Sequence, residues 1–291
     1  MNTSKVIAGV MKWGLWGSKF DTASYEQIIK ESIHMGVTTF DHADIYGDYT
    51  TEEEFGHVLR KEPSLRQQMQ LITKCGIRRP CVNRPQFKIK SYDTSFKHII
   101  ESVETSLENL STDYIDALLI HRPDFIMNAD EIAEAFAQLK QQGKVLHFGV
   151  SNFTPSQVAL LNSRFKVEIN QIQASVTYLQ PFTDGTLDQC QELGVIPMAW
   201  SPLGGGNIFA ATDDERILRI TAVAEILAAK YQTSADVVLL SWLLQHPSKI
   251  IPVLGTSKPA RIKAALDATE LKMEREEWYM LWRASTGKEV A

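Results

Sequence analysis

Cysteine is scarce in this chain of 291 residues: Cys75, Cys81 and Cys190 are the only three, and no two have C-x-x-C spacing. So odd and scattered a set speaks against a disulfide framework or a zinc ribbon, and it points to a reducing compartment, the cytoplasm. Long hydrophobic runs are also missing. None approaches the ~20 residues of a membrane span, and the apolar run after Met1–Lys5 is too short for a signal peptide. Basic residues are not in excess. A net charge of −5 removes the footprint expected for nucleic acid or an anionic membrane, so a nucleotide cofactor would need a local cationic site. The seven histidines lack H-x-H or H-E-x-x-H spacing, which leaves no metal site and disfavours a metal-dependent hydrolase. No G-x-G-x-x-G opens the chain, which disfavours a doubly wound dinucleotide domain. No linker, repeat or composition shift divides residues 1–291, which therefore read as one domain, with a monomer as the default state.

What is present is an alternation of short apolar runs with helical periodicity. Val6–Met11, Val37–Asp41, Leu71–Lys74, Ala117–His121, Val145–Ser151, Ile169–Val176, Val195–Trp200 and Ile250–Val253 read as strands. Helices are expected from Tyr25 to Met35 with Ser24 as cap, over Thr51–Arg60, Thr94–Leu110 and Asp130–Gln141, and from Thr154-Pro155. Further helices are expected over Glu215–Tyr231, Ser234–Gln245, Ala260–Ala268 and Glu274–Ser285. Cys75–Tyr92, with three arginines, two prolines and two lysines, lacks periodicity and reads as a long loop. Eight strands with helices between them predict a single (β/α)8 barrel, with an extra C-terminal helix and active-site loops. In such a barrel every strand ends on one face, and that face carries the chemistry.

Four strand ends carry polar residues suited to proton transfer: Asp41, with Tyr46 five residues beyond it, then Lys74 and His121. A phenol is a poor acid near neutrality because its pKa is ~10. An adjacent ammonium is expected to lower that value, and a carboxylate holds the ammonium charged and in place. Such a set suits a carbonyl oxygen that becomes an alkoxide, with His121 orienting it. If these side chains point inward, alternation also directs Val37, Thr39, Ile72, Ala117 and Leu119 into the barrel, and Phe40, Leu118 and Ile120 toward the helices. Singly each has an ordinary reading. Asp41 could cap a turn (Asp44 is the better candidate), Tyr46 could be a packing aromatic, Lys74 a solvated edge charge and His121 a loop residue. Their occurrence at successive ends of one barrel is much harder to dismiss.

Phe40-Asp41-His42-Ala43-Asp44-Ile45-Tyr46-Gly47, Thr73-Lys74-Cys75-Gly76 and Leu119-Ile120-His121-Arg122-Pro123 resemble the aldo-keto reductase superfamily. Gly149-Val150-Ser151-Asn152-Phe153, Asn170-Gln171, Ala199-Trp200-Ser201-Pro202-Leu203-Gly204 and the stretch from Ile251-Pro252 to Arg261 complete the likeness in order. The resemblance implies a barrel enzyme that reduces aldehydes and ketones with NADP(H), a small carbonyl compound being its partner. It makes Tyr46 the general acid, tuned by Asp41 and Lys74, with His121 orienting the substrate. Ser151, Asn152 and Gln171 then hold the nicotinamide carboxamide, and Trp200 stacks on the ring where other members usually carry tyrosine. Ser201, Leu203 and Gly204 are expected to bind the cofactor, and the backbone N–H groups of Leu203 to Gly206 could approach its pyrophosphate; a bare glycine-rich loop is as often only flexible. Gly255, Thr256, Ser257, Lys258 and Arg261 fall at the adenosine 2′-phosphate, although Gly255 and Ala265 replace a lysine and an amide found in some members. A regulatory subunit that binds NADPH with little turnover is the alternative function. Three regions are expected to set specificity: Trp13–Trp16, Cys75–Tyr92 and the residues near Trp278 and Trp282. Cys75, beside Lys74, is either a redox-sensitive thiolate or an inert packed thiol.

Overall fold

A computed structural model describes all 291 residues. Eight parallel strands close into a barrel: β1 (Ile7–Gly9), β2 (Thr39–Asp41), β3 (Gln70–Cys75), β4 (Ile115–Ile120), β5 (Val145–Ser151), β6 (Ile169–Gln173), β7 (Ile196–Trp200) and β8 (Ile251–Leu254). Closure comes from β1, which pairs with both β2 and β8 (Ala8 opposite Phe40 and Leu254). The crossover helices are α1 (Thr22–His34), α2 (Thr51–Lys61), α3 (Phe96–Leu110), α4 (Ala129–Gln141), α5 (Pro155–Asn162) and α6 (Thr186–Leu193). After β7 come α7 (Glu215–Tyr231) and α8 (Ala235–Leu244), and after β8 come α9 (Pro259–Asp267) and α10 (Arg275–Thr286).

The pleat sorts side chains into two layers. Ile7, Ile72, Ala117, Leu119, Ile169, Met198 and Val253 fill the barrel as one cluster, and Met1 packs against it. Phe40, Leu118 and Ile120 turn outward to the helices, as alternation predicts. Val37 does not follow the rule and packs in the outer layer with Phe40. β2 begins only at Thr39, so the two-residue period does not extend back to position 37.

Several boundaries differ from the sequence reading, each for a local reason. Asp21, not Ser24, caps α1, because its carboxylate accepts the Ser24 N–H at 2.8 Å and starts the helix three residues earlier. Ser95 caps α3 through the His98 N–H, so the helix begins at Phe96 and not at Thr94. β6 stops at Gln173, since Ser175 and Tyr178 pair with each other in a turn. The expected loop Cys75–Tyr92 contains a small hairpin, Ile77–Arg78 against Ser91–Tyr92.

Helices α2 and α3 approach so closely that a methyl group on Gly56 would lie 1.9 Å from the Asn109 carbonyl oxygen. Alanine is the better helix former by ~1 kcal/mol, yet overpacking against backbone costs about 1–3 kcal/mol. Gly56→Ala is therefore expected to lower the urea midpoint; a raised midpoint would contradict so close a crossing.

Candidate active site

A fully buried ammonium must be saturated with partners or lose its charge. Lys74, at the end of β3, has no solvent exposure, and its Nζ lies 2.7 and 2.8 Å from the two Asp41 carboxylate oxygens. The His42 carbonyl accepts from it at 2.7 Å, and the Tyr46 hydroxyl lies 3.3 Å away. Gln171 reaches across from β6 and donates its Nε2 to Asp41 Oδ1 at 2.8 Å. Burial works against the Lys74 charge, but Asp41 and Tyr46 outweigh it and hold the pKa above the ordinary lysine value.

The turn after β2 aims the phenol. Gly47, Asp48 and Tyr49 all lie in the left-handed region, at φ +61°, +57° and +71°. Two of the three carry side chains, so this turn stores of order 1–3 kcal/mol per residue. Holding it in place, the Tyr46 carbonyl accepts the N–H groups of Tyr49, Thr50 and Thr51. Trp16, from the β1–α1 loop, sits 6.1 Å from the Tyr46 ring. Its indole donates to Asp48 at 3.2 Å, and the Arg79 guanidinium lies over it while bonding Asp48 at 3.0 Å.

The expected lowering of the phenol pKa does not occur. Burial pushes the Tyr46 hydroxyl above the ordinary tyrosine value, Lys74 offsetting only part of that. His121 stands edge-on to Tyr46 with ring centres 6.0 Å apart, and its buried Nδ1 has no partner. Burial first, then the charges of Lys74, Arg122 and Lys90, push it well below the ordinary histidine range, so the ring is neutral.

β5, β6 and β7 bring the next group together. Ser151 Oγ donates to the Gln171 carbonyl at 2.9 Å, Asn152 Nδ2 donates to Ser151 Oγ at 2.7 Å, and Trp200 Nε1 donates to Asn152 Oδ1 at 2.9 Å. Asn152 and Ser201 adopt left-handed backbone, at φ +60° and +51°. Leu203 packs at the seam of two core clusters. Gly204, at φ +59°, lies so close to Thr177 that a Cβ there would meet its hydroxyl at 2.8 Å. Between β8 and α9, Gly255 is open to solvent, and Thr256 Oγ1 accepts the Lys258 N–H at 3.1 Å. Ser257 meets Ser18 of the β1–α1 loop, hydroxyl to hydroxyl, at 3.1 Å. Lys258 and Arg261 are exposed at the first turn of α9, where the helix dipole favours an anion.

One expectation fails here. Trp278 and Trp282 do not reach the substrate side; they stack in series with Trp242 at 4.9 and 5.6 Å. The Trp242 and Trp278 indoles each donate to the other's carbonyl at 3.0 Å, fastening α10 to α8. Of the two readings of Cys75 the inert packed thiol holds, since burial pushes its pKa well up. Sequence reading also missed Glu52. It lies buried behind β3 and accepts from Thr73 at 2.5 Å and Ser106 at 3.0 Å. Only its place at the start of an amphipathic helix could have signalled it.

The family model described as "Aldo/keto reductase family" matches residues 5–285. The chain belongs to the aldo/keto reductase family. It is 46% identical over 283 residues to Oxidoreductase YdhF of Escherichia coli, covering 96% of this chain and 93% of that one. A 6-dehydroglucose reductase of Agrobacterium fabrum is 41% identical over 285 residues, covering 96% and 95%. The crystal structure of the thermostable aldo-keto reductase Tm1743 with the inhibitor epalrestat superposes with a TM-score of 0.80 at 25% identity, covering 96% and 94%. As a member of this family the protein is an NAD(P)H-dependent oxidoreductase acting on small carbonyl compounds. The aldo/keto reductase site fits such a dinucleotide: amide and hydroxyl groups beside an indole at one end, two unpaired cations on a helix N-terminus at the other.

Removing one member of a buried ion pair strands the other. Asp41→Asn is expected to destabilise the protein by about 3–5 kcal/mol in urea unfolding. Adding Lys74→Met should recover part of that loss. Equal stability of wild type and Asp41→Asn would mean that Lys74 does not depend on this carboxylate.

Proposed function

We propose that this protein reduces aldehydes with NADPH and that Tyr46 protonates the carbonyl oxygen. The observation that carries the reading is the buried line Asp41–Lys74–Tyr46, with neutral His121 beside the phenol. When bound, NADPH would supply the hydride for the carbonyl carbon. Tyr46 gives its proton to the oxygen as negative charge grows there, and the Lys74 ammonium, bonded to that hydroxyl, stabilises the phenolate left behind. Asp41 keeps Lys74 charged and in position. His121, neutral and with Nδ1 unpartnered, offers the carbonyl a second hydrogen bond and orients it.

In this reading Asn152, Ser151 and Gln171 fix the carboxamide and Trp200 supports the ring; Ser201, Leu203 and Gly204 line the pyrophosphate. Lys258 and Arg261, with Thr256 and Ser257, take the 2′-phosphate, which supports NADPH over NADH. A relative named for 6-dehydroglucose supports a small polar carbonyl substrate. The same reading takes the chain as one catalytic domain acting as a monomer in the cytoplasm, in keeping with three free thiols. The presence of all four residues, Asp41, Tyr46, Lys74 and His121, favours turnover over a purely regulatory role.

Loss of NADPH absorbance with a panel of aldehydes tests the reading. Tyr46→Phe is expected to cut turnover by at least ~100-fold while NADPH still binds. Near-wild-type turnover in that variant would remove Tyr46 as the acid, and NADPH binding without turnover on any carbonyl would favour the regulatory role. Arg261→Ala should weaken NADPH by about 10- to 100-fold and NADH little; equal losses would refute the 2′-phosphate assignment.

The pH dependence follows from the two shifts. Tyr46 is held above its ordinary value of 10.0, so the proton it donates is present at neutrality and is lost only as pH rises past that value. His121, held well below 6.5, is already neutral at neutrality. Reduction is therefore expected to vary little in kcat/KM from about pH 6 to 9 and to fall beyond about pH 10. An ionisation near pH 7 in that profile would contradict a neutral His121.

A further inference from the structure

We propose that the preferred carbonyl substrates carry an acidic group, a carboxylate or a phosphate, and that Arg122 binds it with Lys90 beside it. This rests on the reductase reading above and specifies the substrate class of that same site.

Arg122 directly follows His121 at the end of β4, and its guanidinium lies 5.6 Å from the centre of the Trp200 ring. It stands between the group that would orient the carbonyl and the indole that would support the nicotinamide. Unlike the arginines around it, it has no hydrogen bond and no ion pair. Arg78 holds Asp93 and Arg79 holds Asp48. Three carboxylates at this end of the barrel already hold other groups, Asp41 with Lys74 and Gln171, Asp48 with Arg79 and Trp16, and Asp93 with Arg78 and Ser95. Asp124 accepts the Ile126 N–H and forms no ion pair with Arg122. Lys90, exposed on the loop facing β4, is unpaired as well. A chain of net charge −5 thus presents two free cations at the mouth of its own site.

A partly buried guanidinium without a partner is poised for an anion, and its planar fork matches the two oxygens of a carboxylate or phosphate. The Trp200 face fixes its direction by cation–π attraction. With the carbonyl at Tyr46 and His121, an acidic group a few bonds away along the substrate meets Arg122.

The test compares kcat/KM within two matched pairs: succinic semialdehyde against its methyl ester, and glyceraldehyde 3-phosphate against glyceraldehyde. Wild type is expected to favour the charged member of at least one pair by about tenfold or more, and the pair that shows the preference tells carboxylate from phosphate. Arg122→Gln should erase that preference by about 10- to 100-fold, mainly through KM, while Arg122→Lys retains part of it. Equal treatment of charged and neutral partners by wild type would overturn the proposal. So would a preference that survives Arg122→Gln, or a loss in Arg122→Gln that appears instead as weaker NADPH binding. If wild type turns over no aldehyde, the reductase reading falls separately. Calorimetric titration with 4-hydroxybutyrate and glycerol 3-phosphate then decides the anion site. Binding weakened about tenfold or more by Arg122→Gln supports it, and equal or absent binding overturns it.

Discussion

The buried ion pair between Lys74 and Asp41 is the constraint on which the site depends. An ammonium with no solvent contact keeps its charge only if every hydrogen finds an acceptor, and here the acceptors come from β2 and the turn after it. Because Asp41 must also satisfy Gln171 from β6, the pair ties opposite sides of the barrel across its mouth. Side chains 130 positions apart in sequence are held at hydrogen-bond distance by one carboxylate. The precision of the phenol follows from that arrangement, since its hydroxyl shares the same ammonium.

Around this pair the protein separates charge from neutrality. The same burial that raises Tyr46 lowers His121, so one ring keeps its proton and the other stays uncharged through the neutral range. Positive charge gathers on the rim instead, on Arg122 and Lys90, and on Lys258 and Arg261 at the far end. A left-handed turn at Gly47–Tyr49 is the conformational cost of bringing the phenol to the ammonium. Trp16 and Arg79, both gathered on Asp48, brace that turn from outside.

The fold was legible because strand-length apolar runs alternated regularly with helical periodicity, and all eight strands lie where those runs predicted. Boundaries were less legible. Asp21 outcompeted Ser24 as a cap through a single hydrogen bond, and Ser175 left β6 to pair within a turn. Trp278 and Trp282 misled because aromatic content says nothing of direction. The partner that claimed them, Trp242, lies on another helix.

By itself the sequence determined the barrel, the strand ends that carry Asp41, Lys74 and His121, and the family, since each is written in local periodicity or in ordered motifs. Only the tertiary structure decided the direction of the Tyr46 shift. Desolvation is a sum over everything packed around a group, and it exceeded the one nearby charge that sequence could foresee. The same holds for Arg122. Its residue type and its place after His121 are plain in the sequence. That it ends without a carboxylate partner follows only from where the other side chains have gone.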